Sequence, residues 1–141
     1  MKVYGHPKYR LLNKALEVLR VEKEMNLKKL YEAVEDAQPD VLPITETSFK
    51  YLLINAPFCK YSIETNNVTL VENKANLPVE FQKLALKDKE GAVAKYSLLK
   101  VFVRLVDLER MPFKIEELKF MIQIDSEFRI NKKQEIYRLE M

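Results

Sequence analysis

Few residues in this chain belong to the types that carry out catalysis. Among its 141 residues there is one histidine, His6, and one cysteine, Cys59. A serine or cysteine nucleophile needs a base beside it, so His6 would have to serve, from a segment that also holds Gly5 and Pro7. We expect Cys59 to be a small thiol buried in a core, and the alternative is a reactive nucleophile.

Residues that bind metals or phosphates are equally sparse. One cysteine and one histidine cannot form the nitrogen and sulfur shell of a zinc site. Carboxylates are paired at Glu35-Asp36 and Glu116-Glu117, but neighbouring helical residues point about 100° apart and do not face one another. Gly5 and Gly91 are too far apart to form a glycine-rich phosphate loop. We therefore predict no catalytic residues, no metal, no cofactor and no small-molecule substrate, and we expect that the chain is not an enzyme.

The sign of the charge alternates along the chain. The formal net charge is +3, with 24 basic and 21 acidic residues. Residues 1–30 are basic at +5, residues 31–75 are acidic at −4, and the remainder carries +2. A dedicated DNA-binding protein concentrates positive charge in one patch, so this distribution is a weak sign of nucleic-acid binding.

Apolar runs are short throughout the sequence. Val101-Phe102-Val103 is followed at once by Arg104, far from the ~20 apolar residues that span a bilayer. The first residues show no apolar segment of an export signal, and a lone cysteine suits a reducing compartment. We expect no membrane partner and an intracellular location, nuclear or cytoplasmic.

Two stretches of the chain carry nearly the same pattern. Tyr9-Arg10-Leu11-Leu12 and Tyr96-Ser97-Leu98-Leu99 each open an amphipathic helical segment, and one inserted residue at Pro112 keeps the next apolar positions in register. A second helical pattern and two alternating strand patterns then follow in each stretch. The repeat predicts an α+β protein of two helix-helix-hairpin modules, residues 1–73 and residues 79–141.

Local signals add a third helix to the first module. The first helix is predicted over residues 9–23, and Asn26 is a candidate N-cap for the second. Thr45 or Thr47 can cap the third helix, and Asn66-Asn67 supplies residues that tolerate the positive φ of a tight hairpin turn. The first module therefore consists of three helices followed by a hairpin.

Three helices and a two-stranded ribbon, in this order, are the elements of a winged helix. The first module resembles this family, a helix-turn-helix variant whose hairpin forms the wing. The similar segments are Leu12 to Leu19 for helix one, Leu27 to Val34 for helix two, Phe49 to Leu53 for the recognition helix and Tyr61 to Val71 for the wing.

The second module departs from the winged-helix pattern. Only 10 residues lead from Leu118 to Phe128, whereas 31 lead from Leu30 to Tyr61. The counterpart of the third helix is therefore predicted to be nearly absent. The second module is either a truncated, degenerate winged helix or a different small fold, and the chain as a whole is described as tandem winged-helix-like modules.

The resemblance implies that the third helix enters a DNA major groove, for which its outward residues should be basic or amide-bearing. The predicted outward positions are Ser48, Lys50, Tyr51, Ile54 and Asn55, which include one cation and two large side chains. Duplex binding takes several phosphate contacts, whereas exposed aromatic residues suit a protein interface. Two alternatives remain: Tyr51 stacks on an unpaired base, or the assigned face is rotated and Tyr51 and Ile54 belong to the core.

Basic residues that could touch nucleic acid lie elsewhere. Lys8, Arg10 and Lys14 cluster at the start of the first helix, and Lys132-Lys133 lies at the tip of the second hairpin with Arg129 on its strand. The alternative is that these are ordinary solvated lysines and arginines. We expect a protein-binding subunit or terminal domain within a nucleic-acid-handling complex, with weak DNA or RNA contact as an addition, and direct DNA or RNA binding as the alternative function.

Overall fold

Helices and short antiparallel strands alternate in the computed structural model, which describes residues 7–37 and 44–139. The predicted α+β class is confirmed. The helices are α1 (Pro7–Glu22), α2 (Leu27–Ala37), α3 (Glu46–Ile54), α4 (Leu98–Asp107) and α5 (Ile115–Ile124). The strands are β1 (Glu24–Asn26), β2 (Cys59–Ser62), β3 (Asn67–Leu70), β4 (Tyr96–Ser97), β5 (Phe128–Ile130) and β6 (Glu135–Arg138).

The chain divides into two compact units, with the division between residues 75 and 76. The N-terminal unit comprises the described residues up to 75, and the C-terminal unit comprises residues 76–139. No helix among the described residues is long and apolar enough to cross a membrane.

The N-terminal unit contains α1, β1, α2, α3, β2 and β3 in chain order. Its sheet has the strand order β1-β3-β2, and both pairings are antiparallel. Val68 in the central strand lies opposite Met25 on one side and Tyr61 on the other. The hairpin formed by β2 and β3 therefore gains a third strand from the segment between α1 and α2.

Leucines at helical spacing build the core of the N-terminal unit. Leu12, Leu16 and Leu19 on α1 are almost completely buried, because residues three and four apart share one face of a helix. Phe49 and Leu53 on α3 are fully buried in the same way. Burying one such side chain contributes roughly 1.5–3 kcal/mol, so this set accounts for much of the stability of the unit.

Polar side chains define where these elements begin and turn. Thr45 is the N-cap of α3, and its Oγ1 accepts a hydrogen bond from the backbone N–H of Ser48 over 3.1 Å. The Asn26 Oδ1 accepts from the backbone N–H of Lys28 over 3.0 Å at the start of α2. Asn66 takes a φ of 58° in the hairpin turn, a conformation that asparagine tolerates better than most residues.

The C-terminal unit begins with a short 3₁₀ turn, Val79–Lys83, followed by β4, α4, α5, β5 and β6. Its sheet has the strand order β4-β6-β5, again with antiparallel pairs. Phe81 in the 3₁₀ turn is buried and packs edge-on against Phe128, with 5.5 Å between ring centroids.

Corresponding hydrogen bonds join helix and hairpin in the two units. The backbone N–H of Leu27, the first residue of α2, donates to the carbonyl of Asn66 over 2.9 Å. The N–H of Leu98, the first residue of α4, donates to the carbonyl of Gln134 over 2.9 Å, and Gln134 also has a positive φ, 60°. By position in the topology, α4 therefore corresponds to α2 and α5 corresponds to α3.

This correspondence corrects one sequence expectation. The pattern at Tyr9 and Tyr96 pairs α1 with α4, but within residues 76–139 the missing element is the counterpart of α1, and α5 fills the place of the third helix. Tyr9 lies within α1 and Tyr96 lies in β4, so the two tyrosines are not equivalent. The pairing was wrong because every amphipathic helix has the same period, which lets any two of them match.

Candidate functional site

The outward face of α3 is the first candidate surface. Tyr51 and Ile54 are 59% and 49% exposed, while Phe49 and Leu53 of the same helix are fully buried. The 3.6-residue period produces this separation, since positions 49 and 53 share one side of the helix and positions 51 and 54 share the opposite side. Lys50, Tyr51, Ile54 and Asn55 together form what we term the α3 surface.

Two aromatic rings lie beside the ammonium group of Lys50. Its Nζ lies 5.5 Å from the centroid of the Tyr51 ring and 5.8 Å from the centroid of the Tyr61 ring on β2. Both distances are within the range of cation–π attraction. The hydroxyl of Tyr61 in turn donates to Asn66 Oδ1 over 2.6 Å. Lys50 therefore links α3 to the hairpin.

Asn55 has a structural partner at the end of α3. Its Nδ2 donates to the backbone carbonyl of Tyr51 over 3.0 Å, which satisfies one of the carbonyls that a helix end leaves unpaired. The residue is exposed at the end of α3, and this bond uses only its amide nitrogen. Asn55 can offer an acceptor to a partner without losing this bond.

Ile63 is an exposed apolar residue that sequence reasoning did not select. The alternating pattern placed it in the strand with Tyr61, but β2 ends at Ser62, and Ile63 lies in the turn with 87% of its side chain exposed. An isoleucine at a hairpin turn is a usable signal, because such turns favour polar residues. Glu64 follows it, so this turn has no cation to offer a phosphate.

Lys14, one of the three basic candidates on α1, forms an ion pair within the helix. Lys14 Nζ lies 3.2 Å from Glu17 Oε2, so its charge is partly neutralised within the helix. Lys8 Nζ lies 5.4 Å from the centroid of the Tyr9 ring. Lys8, Arg10 and Lys14 are all half-buried. The arrangement is less accessible to a phosphate backbone than a fully exposed cluster would be.

The basic candidates on the second hairpin differ from one another. Arg129 on β5 is half-buried, and its Nη1 donates to the backbone carbonyls of Asp125 over 2.8 Å and Phe128 over 2.7 Å. Lys132 and Lys133 are exposed in the turn between β5 and β6. The Asn131 Oδ1 shapes this turn by accepting from the backbone N–H of Lys133 over 3.0 Å. Arg129 therefore stabilises the strand, while the two lysines face solvent.

Cys59 is buried at the start of β2. Its Sγ lies 3.5 Å from the carbonyl oxygen of Leu53, and burial raises the pKa of the thiol to about 12. A thiol with this pKa is almost entirely protonated at neutral pH and is a poor nucleophile. His6 lies outside the described residues. Within residues 7–37 and 44–139, no group of three or more His, Cys, Asp or Glu side chains could hold a metal ion.

A groove of about 490 Å³ runs between the 3₁₀ turn and α4 in the C-terminal unit. Apolar side chains line it together with Lys83 and Arg104, and an ion pair bounds it, in which Arg110 Nη1 lies 2.6 Å from Glu80 Oε1. The hydrogen bond from Arg110 lowers the pKa of Glu80. An ionised carboxylate engaged by arginine is not placed to act as a general acid or base.

Comparisons with protein-family models, curated proteins and solved structures gave no match to the chain.

Proposed function

We propose that the chain is a non-catalytic interaction module that binds a protein partner through the α3 surface, as a subunit or terminal domain of a nucleic-acid-handling assembly. The observation that carries the proposal is the joint exposure of Tyr51 and Ile54 on the helix that precedes the hairpin. Aromatic and large apolar side chains supply much of the energy of protein interfaces when a partner buries them.

The arrangement of elements supports a winged-helix-like organisation of the N-terminal unit. Three helices precede the hairpin of β2 and β3, and α3, immediately before that hairpin, has the place of a recognition helix. The link to nucleic-acid handling rests on this resemblance.

The charges around α3 favour a protein over a nucleic acid as its partner. Lys50 and Lys60 are the lysines of α3 and β2, and Glu46 and Glu64 offset them. Binding to duplex DNA strengthens with each phosphate that a cation neutralises, so a surface without excess positive charge gains little from this term. Apolar contacts with a protein partner do not require excess positive charge.

Affinity capture with matched variants tests the proposal. The full chain is immobilised and exposed to extract of cells that express it. The proteins retained are compared among the wild type, a Tyr51→Ala/Ile54→Ala variant and a Val21→Ala control. Val21 is 77% exposed on α1, outside the α3 surface. We expect specific proteins to be retained by the wild type and the control and to be lost from the double variant. Equal retention by all three would reject the α3 surface as the binding site.

The second candidate function is direct DNA or RNA binding, favoured by the exposed Lys132 and Lys133 at one hairpin turn. In this case a Lys132→Glu/Lys133→Glu variant should lose affinity for labelled DNA or RNA in a gel shift, and the loss should shrink as salt concentration rises. Unchanged affinity in the double variant would dispose of this role for the turn.

A further inference from the structure

The outer face of α4 carries an exposed apolar stripe. Leu99, Val103 and Val106 are 60%, 48% and 47% exposed, and they lie at the spacing of three and four residues that places side chains along one side of a helix. The buried residues of the same helix, Leu98 and Leu105, are on a different side. The helix is therefore apolar on two sides, and its own unit covers only one of them.

The equivalent helix of the N-terminal unit serves as an internal control. The corresponding hydrogen bonds of Leu27 and Leu98 align α2 with α4 at a constant offset of 71 positions. The stripe positions of α4 then correspond to Lys28, Glu32 and Glu35, which are all exposed. The equivalent positions of α2 thus accept charged residues. Folding of the C-terminal unit therefore does not explain why these positions of α4 are apolar.

Lys100, Arg104 and Asp107 are exposed beside the stripe, and the first and last of them have a self-complementary order. Lys100 and Asp107 are both exposed, and seven residues, or two turns, separate them, so they lie along the same side of α4 about 10 Å apart. When two copies of a helix pair antiparallel about a two-fold axis, the same side of each copy meets at the contact, and the two helices run in opposite directions. Each Lys100 then faces the Asp107 of the second copy.

We propose that α4 is a homodimerisation surface, in which the Leu99, Val103 and Val106 stripes of two copies pack antiparallel and two Lys100–Asp107 ion pairs flank them. In a two-fold contact of this kind, both copies use the same surface patch, which must therefore be complementary to itself. The contact area of one short helix is below that of a standard stable interface, so the dimer forms reversibly with concentration.

Light scattering coupled to size exclusion, performed over a range of protein concentrations, gives the first test. We expect the mass of the full chain to rise from 16.7 kDa toward twice that value as concentration increases. The variant Leu99→Lys/Val103→Glu/Val106→Glu gives α4 the residues found on α2 and should remain monomeric. A Leu86→Lys/Val93→Glu control alters exposed apolar residues outside α4 and should still dimerise.

A mixing experiment identifies the antiparallel second copy and does not depend on the triple variant folding. Lys100→Asp and Asp107→Lys each place like charges opposite one another in a homodimer, which should weaken self-association by about fivefold. In an equimolar mixture of these two variants, the heterodimer again has opposite charges at both of its contacts between positions 100 and 107. The mixture should therefore associate more strongly than either variant alone.

Three results would overturn the proposal. A wild-type chain that stays monomeric at every concentration would show that a second copy does not occupy the stripe. Dimerisation that persists in a folded triple variant would place the contact elsewhere. A mixture of the charge variants that associates no better than its components would exclude the antiparallel pairing.

Discussion

Gln134 accepts at its backbone carbonyl the N–H of Leu98 over 2.9 Å, which joins the turn of the second hairpin to the start of α4. The same contact joins Asn66 to Leu27 in the N-terminal unit, and both acceptor residues have a positive φ. Each hairpin thus meets the helix that follows the first strand of its sheet. This contact places α3 and α5 in equivalent positions before their hairpins.

The positive φ of Gln134 predicts an unusual mutational response. A β-branched residue is strained in this conformation, so Gln134→Val should destabilise the C-terminal unit by about 1–2 kcal/mol. Gln134→Gly removes that strain at the cost of greater freedom in the unfolded chain, so stability should change by less than about 1 kcal/mol. Urea unfolding followed by circular dichroism measures both, and equal losses in the two variants would contradict the role assigned to the turn.

Phe81 offers a test of how residues 76–139, in which α1 has no counterpart, close the core of the C-terminal unit. Phe81→Ala should cost about 3–5 kcal/mol, because it removes a buried ring and leaves a cavity beside Phe128. Val79 lies in the same 3₁₀ turn and is 70% exposed, so Val79→Ala should change the unfolding free energy by less than about 0.5 kcal/mol. Similar effects of the two substitutions on urea unfolding would argue against Phe81 as a core residue.

The N-cap of α3 can be separated from the other threonine nearby. Thr45→Ala removes the acceptor for the Ser48 N–H and should lower stability by about 1 kcal/mol. Thr47 lies within the helix and is exposed, so Thr47→Ala should be neutral or slightly stabilising. Thermal or urea unfolding of the two variants measures both effects. A larger loss of stability in Thr47→Ala than in Thr45→Ala would contradict the assignment of Thr45 as the N-cap.

Cys59 should be inert in the folded chain. Because burial raises its pKa to about 12, iodoacetamide at mildly alkaline pH should label the native protein far more slowly than the urea-unfolded protein. The stability that the protonated thiol contributes is complete below the unfolded pKa, near 9.0, and is lost as the pH rises toward 12. Equal labelling rates in the native and unfolded chain would contradict the burial of this thiol.

Local patterns predicted the N-terminal unit in most respects. The apolar periodicity identified α1 and α2, Thr45 was one of two proposed caps for α3, and Asn66 was one of two residues expected in the hairpin turn. Each of these signals depends on a few neighbouring residues. The strand β1 was missed because its three residues become a strand only by pairing with β3, more than 40 positions away.

The α4 helix shows what periodicity leaves open. Its apolar residues recur on more than one side of the helix, yet Leu99, Val103 and Val106 are substantially exposed. A pattern of apolar residues shows which faces can be covered and does not show whether the same chain covers them. For α3, the assignment of Phe49 and Leu53 to the core left Tyr51 and Ile54 outward, but their role stays a prediction.

Site-specific photo-crosslinking from the α3 surface tests the central claim most directly. A benzophenone amino acid replaces Tyr51 in the full chain, and a control chain carries it at Glu32, which is exposed on α2. After irradiation in extract of cells that express the chain, we expect protein adducts from position 51 that are absent from position 32 and that disappear when Ile54→Asp is added. Adducts of nucleic acid from position 51, or no protein adduct together with salt-sensitive nanomolar DNA binding in a gel shift, would contradict the account.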